Sequence, residues 1–215
     1  VALMFADDSP AAAESWVPLA QRLRATATAT HITTALRRRA AWMAGLLERR
    51  FTGGRGAVPV TRDTMPAQLR NVLDVYDRAR GGDLEMALRS SEPLKLVRAE
   101  YVADPFYRTV LHLLRAQWLI TNGQWESADR ELLWYQNSDQ ATLPYFEPQA
   151  MEVDWAFGTL ARWRRVQLAD RSRTPGDVRC SLYRDVMRRW SEGEAPYAAR
   201  ADSARALALT LKCPT

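Results

Sequence analysis

The chain has 215 residues, 47% of them hydrophobic, which suffices for one large domain or two small ones and excludes wholesale disorder. Its formal net charge is +5, and nearly all of its positive charge is arginine, because Lys95 and Lys212 are the only lysines. No apolar run reaches the roughly 18 residues that a membrane-spanning helix needs. The arginines are spread along the chain, so a general codon preference explains them more simply than a nucleic-acid partner.

Residues 1–63 are predicted to form an N-terminal arm and a helical segment that ends in a glycine-rich loop. The opening stretch, VALMFA, is apolar and too short for a signal peptide. It is either a short anchor or a segment that docks into a partner. Its large apolar side chains have no core neighbours in the sequence, so we expect a partner to bury Leu3, Met4 and Phe5.

Two helices are predicted within this segment. Ser9 and Pro10 supply an N-cap and a first helical residue, and the helix continues past Trp16. The threonine-rich stretch 25–34 weakens the helix and predicts a break there. A second helix is predicted over 35–50, with an apolar stripe of Leu36, Ala40, Met43, Leu46 and Leu47. Residues 51–63 contain three glycines and one proline, which predicts a loop and an internal boundary.

Residues 64–215 are predicted to be a domain of paired helices, since strand signals are almost absent. Gly81-Gly82 and Asn122-Gly123 are predicted to turn the chain between helices, and Asp83 is predicted to cap one of them. The predicted helices cover 65–80, 84–91, 105–121, 125–135, 149–169, 178–191 and 196–212.

Two of these helix pairs share an internal sequence repeat. Residues 82–87 (GDLEMA) and 123–128 (GQWESA) both read Gly, polar, large apolar, Glu, any residue, Ala. The glycine makes a tight turn, the large apolar residue fills the space between the helices, and the alanine allows close approach. A third, degenerate copy is predicted to start at Gly176, with Ser181 in the small position.

The pattern resembles the tetratricopeptide (TPR) repeat. The positions that fit that repeat within 114–135 are Ala116, Leu119, Gly123, Trp125, Ala128, Leu132 and Tyr135. The resemblance covers roughly residues 65–212 and implies an all-α fold of stacked antiparallel helical hairpins, a TPR-like α-solenoid. The copies are longer than the usual repeat of about 34 residues, so they are degenerate. The last third, with EVDWAF at 152–157, ARW at 161–163 and YAARAD at 197–202, is also similar to the closing repeats of bacterial signalling proteins.

The sequence contains no motif that supports enzymatic chemistry. His31 and His112 lie far apart, and each is interpreted as structural. A helical lyase would need a catalytic glutamate in a cleft, and no motif surrounds any of the available residues Glu100, Glu131 and Glu152. We therefore predict no catalytic residue, no cofactor, no metal site and no small-molecule substrate. Nucleic acid is not expected as a partner either, because no recognition motif accompanies the positive charge.

Three arginine clusters remain to be explained: 37–39 with 49–50, 162 with 164–165, and 188–189. Consecutive residues of a helix point about 100° apart, so a solvated helix face is the first interpretation of each cluster. A face against lipid phosphates or an acidic protein is the second. The residues predicted to contact a partner are Leu3, Met4, Phe5, Trp16, Arg37, Arg38, Arg39, Arg49 and Arg50.

These features together predict a non-enzymatic scaffold for protein–protein interaction. The combination of an apolar arm, many Arg and Trp residues and no spanning helix is similar to membrane-extrinsic subunits of bacterial photosynthetic reaction-centre–antenna complexes. That similarity implies integral membrane proteins as partners, anionic lipid headgroups as further contacts, and the periplasmic side in preference to the cytoplasm. The alternative is a cytoplasmic TPR-type adaptor in bacterial signalling.

Cys180 and Cys213 fit either two free thiols or one disulfide, and a disulfide would argue for an extracytoplasmic location.

Overall fold

The computed structural model describes residues 10–52, 67–95, 105–136, 157–193 and 197–214. Throughout these ranges the regular elements are helices and no strand occurs, which confirms the all-α class. A short 3₁₀ helix spans Pro93–Lys95. The α-helices are α1 (Pro10–Thr28), α2 (Thr34–Thr52), α3 (Ala67–Arg80), α4 (Leu84–Ser91), α5 (Pro105–Thr121), α6 (Trp125–Leu133), α7 (Thr159–Leu168), α8 (Gly176–Trp190) and α9 (Tyr197–Thr210).

The chain divides into two compact units, whose boundary lies within α3 between Leu73 and Asp74. The boundary predicted from the glycine-rich loop, between residues 63 and 64, lies outside the described residues and stays a prediction. The apolar arm, with Leu3, Met4 and Phe5, also lies outside them.

In the first unit, α1 and α2 pack against each other across the break that the threonine-rich stretch predicts. The hydroxyl of Thr26 donates to the carbonyl of Arg22, one turn earlier, near the end of α1. The buried face of α2 is made by Ala40, Ala44 and Leu47. The predicted stripe was wrong at its start, because Leu36 is 54% exposed. Two of the buried residues of α2 are alanines, whose small side chains allow α1 and α2 to approach closely.

In the second unit, each helix from α4 to α9 packs against the next one along the chain. Small residues lie at these contacts, and Ala87, Ala116 and Ala128 are fully buried. Leucines fill the core between them, including Leu111, Leu132, Leu160 and Leu182. The limits of α4 agree with the prediction, and Asp83 caps it as expected, with its carboxylate accepting from the backbone N–H of Met86 at 3.1 Å.

Four helices end in the same left-handed turn, at Gly82, Gly123, Arg173 and Lys212. In each turn the N–H of the following residue donates to a carbonyl five residues earlier, at 2.9–3.2 Å, and the donors are Asp83, Gln124, Thr174 and Cys213. This bond satisfies a carbonyl that would otherwise lack a partner at the helix end. Glycine has no Cβ to disfavour this backbone, so the two repeat glycines have the role that the sequence predicts.

The third copy of the repeat is placed differently from the prediction. The left-handed residue is Arg173, with φ 53°, and Gly176 is instead the first residue of α8. Ser181 is exposed, so it does not take the place of a buried alanine. Pro175 has the extended backbone of an N-cap residue and its carbonyl accepts from the N–H of Arg179 at 3.0 Å, so the helix begins at Gly176.

Cys180 on α8 and Cys213 after α9 are joined by a disulfide, with Cα atoms 5.4 Å apart. The bridge connects residues 33 positions apart and fastens the end of the last helix to its neighbour. Of the two alternatives that the sequence leaves open, the structure therefore has the bridged form.

Replacing Gly123 with alanine is expected to lower the free energy of unfolding by about 1–2 kcal/mol, because a Cβ disfavours its left-handed backbone. No atom lies within 4 Å of the added Cβ, so backbone conformation alone sets this effect. Gly176→Ala is the matched control, since that glycine begins a helix and its Cβ would also meet open space. The control should be neutral or stabilising by up to about 1 kcal/mol. Urea unfolding compares the two, and equal losses would contradict the role of the turn.

Candidate functional site

A groove of about 750 Å³ opens in the second unit, lined by α4, the 3₁₀ helix, α5 and α6. Its floor contains the ionisable side chains of Lys95, His112, Arg115 and Glu131. Leu88, Leu119 and Trp134 contribute apolar surface. Polar side chains complete the lining, namely Glu85, Arg89, Glu92, Asn122, Gln124, Ser127 and Arg130.

Glu131 is the buried anion of the groove, with only 8% of its surface exposed. His112 Nδ1 donates to its Oε1 at 2.6 Å, Arg115 Nε lies 3.1 Å from the same oxygen, and Lys95 Nζ lies 3.5 Å from Oε2. Burial alone would raise the pKa of Glu131, but the hydrogen bond and these positive charges outweigh it and lower the pKa to about 2. The carboxylate is therefore ionised at neutral pH.

Arg115 connects this anion to the end of α4. Its Nη1 donates to the carbonyl of Leu88 at 2.8 Å and to the hydroxyl of Ser91, and its Nη2 donates to Glu92 at 2.6 Å. The hydrogen bond from Lys95 and the charge of Arg115 lower the pKa of Glu92 as well, against the smaller effect of burial. A guanidinium that bridges two carboxylates and a helix terminus holds three elements in a fixed arrangement.

An aromatic wall fixes the orientation of His112. Its ring stacks on Trp134, with centroids 4.2 Å apart and planes 13° from parallel. Trp134 in turn meets Tyr135 edge-on, and the Tyr135 hydroxyl donates to the carbonyl of Thr109. The floor and this wall are thus tied together by hydrogen bonds and ring contacts, which makes the interior of the groove preorganised.

The rim of the groove carries exposed charges with weaker local contacts. Arg89 pairs with Glu85 at 2.6 Å along α4, and Arg130 donates to Ser127 at 3.2 Å along α6. Exposed pairs of this kind contribute about 0–1 kcal/mol, so these side chains can exchange such contacts for groups of a partner at little cost.

The site residues that sequence reasoning missed are related through the turn at Gly123. Arg115 and Glu131 lie eight residues before and after that glycine, and His112 and Trp134 lie eleven before and after it. Residues equally far from a turn face each other when two packed helices run in opposite directions. This symmetry, together with the opposite charges of Arg115 and Glu131, is the signal that could have predicted the network.

The predicted partner-binding residues lie in the first unit, away from the groove residues in sequence. Trp16 stacks on Phe51 with centroids 5.6 Å apart, and this stack joins α1 to α2. Arg38 and Arg39 are exposed, whereas Arg37, Arg49 and Arg50 are half-buried. Their role as partner contacts stays a prediction.

The expectation of a solvated face was wrong for the arginines of α7, which are buried. Arg165 is 3% exposed and donates to both carboxylate oxygens of Asp129, at 2.7 and 3.2 Å, and to Gln136. Arg164 donates to Gln117 at 2.6 Å. Arg162 Nε lies 3.3 Å from a carboxylate oxygen of Asp185, completing the set. These arginines connect α7 to its neighbours, so they stabilise the second unit instead of presenting charge to solvent.

Comparison of the chain with protein-family models, with curated proteins and with solved structures finds no match. Across the described ranges, no three His, Cys, Asp or Glu side chains group closely enough to hold a metal ion. None of the described helices combines the length and apolar character needed to cross a membrane. The geometry of the groove is therefore the basis for assigning a function.

Proposed function

We propose that this chain is a non-enzymatic scaffold that holds other proteins, as an extrinsic subunit of a membrane assembly. The groove carries this proposal, because it combines a preorganised, internally paired floor with apolar surface and exposed arginines at its rim. Three consecutive helices and the 3₁₀ helix supply its lining residues, and the partner segment would lie among them. A segment of several residues fits a volume of this size.

The chemistry of Glu131 supports binding over catalysis. A catalytic general acid needs a pKa near the working pH, whereas the pKa of Glu131 is lowered to about 2. Such a carboxylate holds no proton to donate at neutral pH and is a weak base. Its oxygens are also engaged by His112 and Arg115, which favours a structural role in shaping the groove.

The surfaces of the groove match those of protein interfaces. Trp134 and Leu88 offer apolar surface, and Arg89, Arg115 and Arg130 also line the groove. Tryptophan and arginine are residue types that are enriched at binding hot spots. Because the floor is already ordered, binding would cost little further side-chain entropy there. The partner would therefore gain most of its affinity from Trp134 and from the rim arginines Arg89 and Arg130.

A TPR-like stack of antiparallel helix pairs is part of the proposal. The two repeat copies share a left-handed glycine and a following residue of nearly the same conformation, with φ/ψ of −88°/66° at Asp83 and −91°/66° at Gln124. In both copies the alanine of the motif is fully buried, at Ala87 and Ala128. Repeated helix pairs are the units from which stacked scaffolds build concave binding surfaces.

The disulfide supports the extracytoplasmic side of the membrane. Disulfides form and persist in oxidising compartments and are rare where thiol systems keep cysteines reduced. The Cys180–Cys213 bridge is therefore favoured by a periplasmic location over a cytoplasmic one. Among membrane assemblies, a bacterial photosynthetic reaction-centre–antenna complex is the proposed host, on the similarity of composition described above.

A pull-down from the native membrane fraction in mild detergent, read by mass spectrometry, tests this function. The wild-type chain is expected to co-purify stoichiometrically with integral membrane subunits. Arg89→Ala/Arg130→Ala should reduce this recovery roughly tenfold, because interface arginines are frequent hot spots. The matched control Arg184→Ala/Arg188→Ala removes two exposed arginines from α8 and should bind normally. Recovery with soluble signalling proteins instead would indicate the cytoplasmic adaptor.

A further inference from the structure

The last helix, α9, is held against α8 by different contacts along its length. At its start, the ring of Tyr197 lies 5.1 Å from the ring of Trp190, and the guanidinium of Arg200 lies 5.4 Å from the centroid of each ring. About one turn further on, Ala201 and Ala204 are buried. The first half of α9 is therefore held by aromatic and apolar packing.

The second half of α9 has little buried surface. Every residue from 205 to 214 is exposed or half-buried, and Leu209 is 74% exposed. In this stretch the sulfur of Cys213 is bonded to the sulfur of Cys180 on α8. Because most docked helices are stabilised by the apolar surface that they bury, the bridge adds a restraint where packing contributes least.

A left-handed turn precedes the bridge. Lys212 has φ 56°, and the N–H of Cys213 closes the turn by donating to the carbonyl of Ala208 at 3.0 Å. In this conformation the Cβ of any residue other than glycine crowds the backbone, so a lysine keeps it only under restraint. The bond to Cys180 supplies such a restraint, and breaking that bond favours the return of Lys212 to an ordinary backbone conformation.

The two sulfurs of the bridge belong to residues that differ in exposure. Cys180 is 8% exposed, whereas Cys213 is half-buried. A disulfide is opened by a thiolate that attacks one of its sulfurs, and access to each sulfur affects which one is attacked. The structure therefore favours attack at Cys213, with Cys180 as the departing thiolate.

We propose that the Cys180–Cys213 bridge is a redox switch, which a dithiol opens in the folded protein to release the second half of α9. One thiolate of the dithiol bonds to the sulfur of Cys213, the S–S bond breaks, and Cys180 leaves as a thiolate. The second thiolate then attacks the first sulfur of the dithiol and releases Cys213 as a thiolate. The dithiol becomes a disulfide and loses the two electrons that the bridge gains. The switch does not depend on the groove or on its proposed partner.

Brief treatment of the native chain with glutathione, followed by acid quenching and alkylation of free thiols, tests the site of attack. Peptide mapping by mass spectrometry should find glutathione on Cys213 and the alkyl group on Cys180 in most singly modified molecules. Glutathione found mainly on Cys180 would overturn the assignment.

The urea dependence of the reduction rate tests whether the bridge opens in the folded protein. With dithiothreitol in excess, the rate should change by less than about twofold as urea rises to half of the unfolding midpoint, because a local opening exposes little surface. A rate that rises steeply with urea would show that the bridge opens only in the unfolded chain, and the switch would then be wrong.

Lys212→Gly tests whether reduction releases the turn at the end of α9. Glycine adopts the left-handed backbone freely, so the variant should stabilise the bridged state about fivefold relative to the reduced state. The equilibrium constant for bridge formation in a glutathione redox buffer measures this change. If the turn persisted after reduction, glycine would favour both states equally, and an unchanged constant would overturn the release of α9.

Arg173→Gly is the matched control for this variant. Arg173 has the same left-handed backbone, with φ 53°, in the turn before α8. That turn should be present in both redox states, so the equilibrium constant of the control should lie within about twofold of the wild type. Equal shifts in the two variants would mean that reduction loosens the whole unit, which would also overturn the proposal.

Discussion

Replacing Glu131 with glutamine is expected to lower the free energy of unfolding by about 3–5 kcal/mol, the usual cost of breaking a buried ion pair. Arg115 is only 5% exposed, and its Nε lies 3.1 Å from the carboxylate that the variant neutralises. Its charge would remain buried with one counter-ion fewer, and His112 would lose a charged acceptor. Urea unfolding followed by circular dichroism measures the loss.

Glu85→Gln is the matched control for this experiment. Glu85 also pairs with an arginine, at 2.6 Å, but both side chains are largely exposed. Exposed pairs of this spacing contribute about 0.3–0.5 kcal/mol, so the control should unfold close to the wild type. If Glu131→Gln were as mild as Glu85→Gln, the buried network would not be what holds α4, α5 and α6 in place.

The pH dependence of stability is a second, independent test of the contribution of Glu131. The pKa of Glu131 falls from its ordinary value of 4.5 to about 2 on folding, so between these values the unfolded chain binds more protons than the folded one. The stabilisation is fully present above pH 4.5 and is lost as the pH falls toward 2, amounting to about 3 kcal/mol. The unfolding free energies of the wild type and Glu131→Gln should therefore converge in acid. Parallel curves would contradict this.

Features set by local chemistry could be predicted from the sequence. The turns at Gly82 and Gly123 and the cap at Asp83 depend on residues within one helical turn, and all three occur where the pattern predicts them. Pro105 begins its helix in the same way, whereas α8 begins at Gly176, two residues before the predicted start. Local signals therefore define helix ends well.

Features that depend on distant partners could not be predicted in this way. Arg165 and Asp129 are 36 residues apart, and Arg164 and Gln117 are 47 apart, so nothing near α7 in the sequence distinguishes a buried arginine from a solvated one. Leu36 shows the converse error, because an apolar residue at helical spacing was assigned to the core and is 54% exposed. The groove required pairing across the turn at Gly123, which single-helix patterns do not include.

Removing the disulfide is expected to lower the free energy of unfolding by about 3–4 kcal/mol, since the bridge closes a loop between residues 33 positions apart. Its effect should concentrate on α9, where only Ala201 and Ala204 are buried and Leu209 is 74% exposed. We therefore expect the bridge, together with this packing, to hold the C-terminal end of α9.

The double variant Cys180→Ser/Cys213→Ser tests this, with hydrogen exchange to locate the change and urea unfolding to measure it. Amide protection should fall toward the C-terminal end of α9 while α5 and α6 keep theirs, because the groove network does not depend on the bridge. Wild-type protein treated with a dithiol reductant should behave like the variant. Unchanged exchange in α9 would mean that packing against α8 holds the helix and the bridge only follows its position.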